Sequence, residues 1–416
     1  MKSRKYFISI VTISVVVLML GACSLIKTNK SPLNPDKPIT ITLWHYYSGH
    51  IKEQFDELVS RFNETEGVKQ GIVVEARSLG DVSQLADAVF DAANEKIGSE
   101  PLPDLFMAYP DNAFRVRQIV ELVDIESRLS EDEIEAYRKD FLEEGRIGVE
   151  KKLYIMPIAK STENLYLNKN FWDDFSKQKG VTLEQLATWE GVVEVAKQYY
   201  EYSGKAFMGI DAVANYMQVV SMQLGEEIYR YDGMRGSLFL SEKIAKTFWD
   251  YFYTPYLRGY FEKNGRFSSD DAKVGSTIAY TGSTAGAAYF PIQVTLQENE
   301  IYEVEPYTLP YPYFQEGEKV AIQQGAGLCI TKSSEAREFA GLVFLKWFTA
   351  PEQNLEFTVS TGYFPVTTEA LQKERLLEQV EASEVVGAAI PKMIQSTSIM
   401  FEEYRFYSSK PFEGSY

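Results

Sequence analysis

Ile39-Thr40-Ile41-Thr42-Leu43-Trp44, followed by Ile51, Phe55, Leu58, Val59 and Phe62, decides the fold class. The β-branched run reads as a strand. The apolar residues after it recur at three- and four-residue spacing, which is one face of a helix, with Ser48 in place to cap it. Residues 71–76 form a second strand, Leu85, Val89 and Ala92 mark a second helix, and residues 104–109 form a third strand. Strands alternating with helices at this spacing predict parallel pairing through crossover helices, hence an α/β lobe.

A second α/β region follows. Residues 153–158 and 164–167 are strand-like, and Thr188 opens a helix that carries Val192, Val193, Ala196 and Tyr199. Apolar helices are predicted over 217–224 and 244–256, and a strand over 276–281 runs into the small residues 282–288. Residues 322–331 read as a late strand and 333–349 as a helix with Phe339, Val343, Phe344 and Trp347 on its core face. Trp189 and Trp347 fall at core spacing, whereas Tyr311 and Tyr313, interleaved with Pro310 and Pro312, read as a surface turn. The chain has no internal repeat.

The amino terminus carries Lys2, Arg4 and Lys5, then an apolar run over residues 7–20, then Leu20-Gly21-Ala22-Cys23. A basic start, a short apolar core and small residues make an export signal; the run is short against the roughly 20 apolar residues of a stable span. The competing reading is a plain anchor helix with an incidental cysteine. The closing tetrapeptide resembles the lipobox of bacterial lipoproteins, which implies removal of residues 1–22, lipidation of Cys23 and anchoring to the outer side of the cell membrane. Residues 23–37 then form a flexible tether. Removing Lys2, Arg4 and Lys5 with no acidic residue takes the formal charge from −17 to −20. That charge excludes nucleic acid as a partner, because it repels the phosphate backbone. With Cys23 lipidated, Cys329 has no disulfide partner and reads as a buried, inert thiol in an apolar stretch.

Residues for catalysis are few. His45 and His50 are the only histidines, and their spacing fits no metal-binding pair, so each reads as solvated or ligand-facing. The chain has no G-x-S-x-G elbow and no phosphate-cradling loop ending in Lys-Ser/Thr. Glu226-Glu227 and Glu402-Glu403 could serve a surface-anchored glycoside hydrolase, but acidic pairs are common on solvated faces of so acidic a chain. The residues favour binding over turnover, and no cofactor or metal is implied.

Several stretches together resemble the family 1 extracellular solute-binding proteins of ABC importers, of the maltose-binding and glycerol-3-phosphate-binding type. They are residues 39–45 with Arg61-Phe62-Asn63, Leu102-Pro103-Asp104-Leu105-Phe106, Tyr154 to Pro157, and Ser161-Thr162 with Leu165-Tyr166-Leu167-Asn168-Lys169. Thr188-Trp189-Glu190, Gly325-Ala326-Gly327, Lys346-Trp347-Phe348, Pro351-Glu352 and residues 361–367 complete the set. The resemblance implies a two-lobed periplasmic-binding-protein-like fold of type II, with the ligand in a cleft between lobes joined by hinge strands. Lobe 1 would hold residues 38–156 and 286–360, and lobe 2 residues 157–285 and 361–416. It also implies a monomeric, non-enzymatic receptor that hands its solute to the permease subunits.

Carried over residue by residue, Ser161 or Thr162, Gly325 and Tyr363 match ligand-contacting positions of glycerol-3-phosphate binders, and Tyr216 matches one of two cleft tryptophans. The other tryptophan position falls on Val213, a tyrosine position on Val82 and a glutamate position near Pro110. The family's late arginine lies in a segment that this sequence only partly contains. A phosphate ligand wants an arginine fork or helix-end donors, so a neutral sugar or oligosaccharide is favoured, with glycerol 3-phosphate or another phosphorylated solute as the alternative. A sugar ring needs aromatic faces and polar edges. Trp44, Tyr109, Tyr216 and Tyr363 are the candidate platforms; His45, Asp111, Ser161, Thr162 and Ser283 are the candidate hydrogen-bonding groups.

Overall fold

The computed structural model describes residues 31–148, 150–231, 236–295, 300–383 and 387–408. The export signal, Cys23 and the first part of the tether lie outside them. The first elements are β1 (Ile39–His45), α1 (Gly49–Phe62), β2 (Ile72–Ser78), α2 (Val82–Ala93), β3 (Leu105–Ala108) and α3 (Pro110–Arg117). After α4 (Lys139–Glu144) come β4 (Glu163–Asn168), α5 (Trp189–Ser203), β5 (Met208–Ile210) and α6 (Val213–Gln223). Then follow β6 (Ala279–Ser283), β7 (Pro306–Leu309), β8 (Val320–Ile322), β9 (Gly327–Ile330), α7 (Glu335–Phe348), α8 (Pro351–Thr361), α9 (Ile390–Glu403) and β10 (Arg405–Tyr407).

The first sheet has the order β9-β3-β1-β2, with β1 parallel to both β2 and β3 as the crossover pattern requires, and β9 antiparallel to β3. Ile41 and Leu43 are fully buried and Trp44 nearly so, because helices cover both faces of a parallel sheet. Asp104 fixes the register: its Oδ2 accepts from the Thr42 N–H at 2.8 Å, and Arg337 of α7 grips both its oxygens at 2.5 Å. Asp81 and Gln84 form a capping box that starts α2. Phe55, Phe62, Phe344 and Phe348 fill the core between these helices and the sheet.

The second sheet has the order β7-β4-β6-β5, with β6 parallel to β5 and antiparallel to β4. Thr188 caps α5, its Oγ1 accepting from the Gly191 N–H at 3.2 Å. Leu165, Trp189, Val192 and Ile210 pack on one face of this sheet, while Tyr166, Tyr280 and Met393 pack on the other. Alternation along β4 therefore sends Glu163, Leu165 and Leu167 to the α5–α6 side and Asn164 and Tyr166 to the α9 side.

Several expectations change. The stretch 286–360 does not all belong to lobe 1, because β7 pairs with β4 in the second sheet and Val320–Ile322 pairs with β10. The single strand expected over 322–331 is two, broken at Gln323–Ala326, where the chain crosses between lobes. Residues 361–416 are likewise divided: Tyr363 and Val366 join the first core, and Phe364 and Met393 the α9 side of the second. On α7 the expected Phe344 is buried and Val343 and Trp347 pack against the core, but Phe339 is exposed, and Ala340, Leu345 and Phe348 complete the core face. Tyr311 is buried, not at a surface turn: its ring meets Trp189 edge-on, and its carbonyl accepts from the Tyr404 hydroxyl at 2.8 Å.

Three chain crossings run side by side between the lobes. Ser161 and Gln324 exchange backbone hydrogen bonds at 3.0 and 2.8 Å, and Lys160 and Phe364 exchange them at 3.0 and 2.6 Å. Few other backbone groups bind the lobes together, so rotation can concentrate in these segments.

Candidate functional site

The ends of both sheets meet at the crossings. Tyr46 follows β1 and Tyr109 follows β3, so both stand beyond the carboxyl ends of parallel strands, the edge at which open α/β sheets present their ligand-binding groups. Tyr109 Oη accepts from the Gly325 N–H at 3.3 Å and Tyr46 Oη from the Ala326 N–H at 3.4 Å. The Tyr46 hydroxyl also lies close to those of Tyr109 and Tyr363. Burial raises all three phenols, which therefore stay neutral donors and acceptors. Gly325 sits at φ +96°, and a Cβ there would lie 2.4 Å from the Ala159 carbonyl oxygen, so glycine alone lets the crossings approach this closely.

Lobe 2 supplies carboxyl and carboxamide groups. Glu163 opens β4 directly after Ser161-Thr162, and its Oε1 accepts from Asn215 Nδ2 at 2.7 Å and Gln324 Nε2 at 3.0 Å. Its Oε2 is buried without a partner, as is Gln324 Oε1. Burial pushes the Glu163 carboxyl up to about 7; the Asp211 charge adds to this, while the bonds from Asn215 and Gln324 oppose it. Asp211, at the end of β5, accepts the Ser268 N–H at 2.7 Å and lies 3.4 Å from Lys263 Nζ. Lys160 is buried at the crossing, paired with Glu144 and donating to the Gly325 carbonyl at 2.7 Å. At the rim, Arg266 of lobe 2 lies 3.9 Å from Asp81 of lobe 1.

A model of the bacterial extracellular solute-binding protein family matches residues 57–384. The chain belongs to this family. No curated protein matches it in sequence. Among solved structures it resembles the cyclic α-maltosyl-1,6-maltose binding protein from Arthrobacter globiformis, at TM-score 0.70 and 18% identity over 90% of this chain and 89% of that one. It also resembles an ABC substrate-binding protein from Listeria monocytogenes in complex with cycloalternan, at TM-score 0.67 and 16% identity over 89% and 88%. UgpB from Mycobacterium tuberculosis in complex with glycerophosphocholine gives TM-score 0.67 and 18% identity over 89% and 88%. These likenesses establish the two-lobed fold.

Within this solute-binding protein the expected site residues separate into two groups. Tyr109, Ser161, Thr162, Gly325 and Tyr363 gather at the crossings, and Ser283 ends β6 opposite Glu163. The Thr162 hydroxyl already donates to the Ile322 carbonyl at 2.6 Å, which makes it a hinge fastener. The others lie elsewhere. Trp44 faces a groove it shares with Arg77, Leu79, Ala88 and Lys96, all from lobe 1. His45 is fully buried against Phe55, and its Nδ1 accepts from the Tyr47 N–H at 3.1 Å, so it is neither solvated nor ligand-facing. His50 lies with Nε2 3.2 Å from the Ser360 carbonyl oxygen. Tyr216 is fully buried against Trp189, its hydroxyl donating to the Tyr251 carbonyl at 3.3 Å. Asp111 is exposed in the first turn of α3.

Tyr46, Glu163, Asn215 and Gln324 are the groups that the sequence did not single out. Only Tyr46 had a local signal, since it directly follows a strand that leads into a helix. Cys329 is buried, and burial raises its thiol, in keeping with an inert core residue. Among the described residues no three His, Cys, Asp or Glu side chains converge as metal ligands, and no helix is long and apolar enough to cross a membrane.

Proposed function

We propose that this protein is the lipid-anchored, monomeric substrate-binding component of an ABC importer. It closes on a neutral carbohydrate between its lobes and releases it unchanged to the permease. The observation that carries the reading is the group set at the crossings. Neutral phenols of Tyr46 and Tyr109 meet the Ala326 and Gly325 N–H groups, with Tyr363 beside them, and Gln324, next in the chain, joins Asn215 on the Glu163 carboxyl. Such groups suit a ring of hydroxyls, which both donate and accept. The cations nearest to them, Lys160 and Lys263, are each held by a carboxylate, so neither is free to neutralise a phosphate. One resembling structure is named a cyclic α-maltosyl-1,6-maltose binding protein and another is in complex with cycloalternan, which agrees with this ligand class.

A ligand that binds only the folded state raises the melting temperature with its concentration. Titration of the mature protein with linear and cyclic glucose oligosaccharides, glycerol 3-phosphate and glycerophosphodiesters tests the reading. Stabilisation by a neutral oligosaccharide, recovered intact by mass spectrometry, is the expected result. Stabilisation by the phosphorylated solutes alone would overturn the ligand class, and cleavage of the sugar would overturn the receptor. Lipidation is tested by the mass of the mature amino terminus, which loses its acyl chains in Cys23→Ala.

A further inference from the structure

Glu163 is an uncommon feature at the start of an interior strand. It is only 2% exposed, it lies where β4 leaves the hinge, and both neighbouring amides bond the same oxygen. Asn215 reaches it from α6 and Gln324 from the crossing, while Asp211 stands beyond it at the end of β5. Tyr311 and Tyr166 are the other titratable groups near it, both neutral phenols raised by burial. Fastening Oε1 twice orients the carboxyl plane and leaves Oε2 with no donor. Gln324 Oε1 beside it is likewise buried and unpartnered. Buried polar groups are almost always satisfied, so a convergence of unsatisfied ones calls for an explanation.

We propose that Glu163 is a specificity-determining ligand contact, its Oε2 accepting a hydroxyl hydrogen bond from the bound solute while its charge, with that of Asp211, turns away phosphorylated and carboxylated solutes. The proposal rests on the reading of the site as a carbohydrate receptor and adds a named residue and a rule of exclusion. Asn215 and Gln324 act as positioning residues: they hold Oε1 so that Oε2 is presented without reorganisation. A hydroxyl is the fitting occupant because it donates to the carboxylate and still accepts from other groups nearby. A phosphate would bring acceptors only, against an acceptor in a poorly screened setting.

The test compares full-length mature protein with Glu163→Gln by calorimetric titration, using the oligosaccharide that stabilises the wild type. The substitution keeps the oxygen that Asn215 and Gln324 bind but places an amide where the free acceptor stood. Affinity for the neutral sugar is expected to fall about tenfold, the size of one lost hydrogen bond to a charged group. The wild-type affinity should also weaken as pH is lowered from 8 to 6, whereas the variant's stays flat. Equal affinity of wild type and variant at every pH would overturn the proposal while leaving the carbohydrate reading intact. If no oligosaccharide binds the wild type, the carbohydrate reading falls first, and the proposal with it. Asn164→Ala, on the opposite face of β4, separates a local effect from general loosening of the strand: a loss equal to that of Glu163→Gln would also count against a ligand contact.

Discussion

Lys160 and Glu144 form an ion pair in which both side chains are less than one-tenth exposed, at the point where the chain first crosses between the lobes. Gln323, from the return crossing, donates to the same Glu144 oxygen at 2.5 Å, and Lys160 also donates to the Gly325 carbonyl. One charge pair thus ties α4 to two of the three crossings. Removing one partner strands the other in a poorly solvated place, so Lys160→Met should cost about 3–5 kcal/mol in urea unfolding. Pairing it with Glu144→Leu should restore most of that loss, because replacing both charges removes the stranded one. A double variant as unstable as the single one would mean that the loss arises from packing.

Gly325→Ala tests the backbone of the hinge. The added Cβ meets the Ala159 carbonyl oxygen at 2.4 Å, and φ +96° is itself strained for alanine. Destabilisation of roughly 2–4 kcal/mol is expected, read by thermal melting, with weaker ligand binding because the crossings can no longer close up. Gly286→Ala is the control: nothing lies within 4 Å of its Cβ position, and its melting temperature should stay within a degree or two of the wild type, as expected of an unstrained surface change. Equal melting temperatures for the two variants would show that the crossing tolerates a side chain.

The first lobe was legible because local rules suffice there. The β-branched run at 39–44 and the periodic face from Ile51 to Phe62 each fix an element without help from afar. The hinge was not, since Gln323-Gln324-Gly325 is too short an interruption of the apolar residues in 322–331 to mark a break by itself, and the pairing of Gln324 with Ser161 reveals it. Trp44 and His45 drew attention as aromatic and polar, yet a parallel strand covered on both faces buries them, and the group that reaches the crossing is Tyr46. Glu163 is one of 59 acidic residues, and nothing in its neighbours along the chain distinguishes it. Asn215 and Gln324, far away in sequence, make it a site.

Two buried groups give the stability opposite pH slopes. Burial, which outweighs the other influences, lowers His45 from 6.5 to about 4. Between those values the unfolded chain binds the proton and the native one does not, so stability falls as pH drops from 6.5 towards 4, by about 3 kcal/mol in full. Glu163 is raised from 4.5 to about 7, so its native form keeps a proton that the unfolded chain has lost. Its contribution is present below 4.5 and disappears as pH climbs to 7, again about 3 kcal/mol in full. The windows overlap between 4.5 and 6.5, where the slopes oppose each other in the wild type. Denaturant unfolding of single variants separates them: His45→Asn should flatten the acid-side loss, and Glu163→Gln the decline towards neutrality. Variants with the wild-type slope would place the titrating protons on other groups.

Asp81 and Arg266 face each other across the rim at 3.9 Å, with both side chains more than half exposed. Exposed pairs add about 0–1 kcal/mol to stability, so the melting temperature should hardly respond to their removal. Their effect belongs to the equilibrium between open and closed lobes, because they sit on different lobes and can attract only when the rims approach. Arg266→Glu is the better probe, since Asp81 also caps α2 and replacing it would disturb the helix. The like charges it creates should weaken ligand binding a few-fold at low ionic strength and widen the scattering profile of the ligand-bound protein. At 1 M salt the screening length falls to about 3 Å, shorter than the separation, and the variant should regain wild-type affinity. A defect that persists at high salt would assign Arg266 a direct contact with the ligand instead of a part in closure.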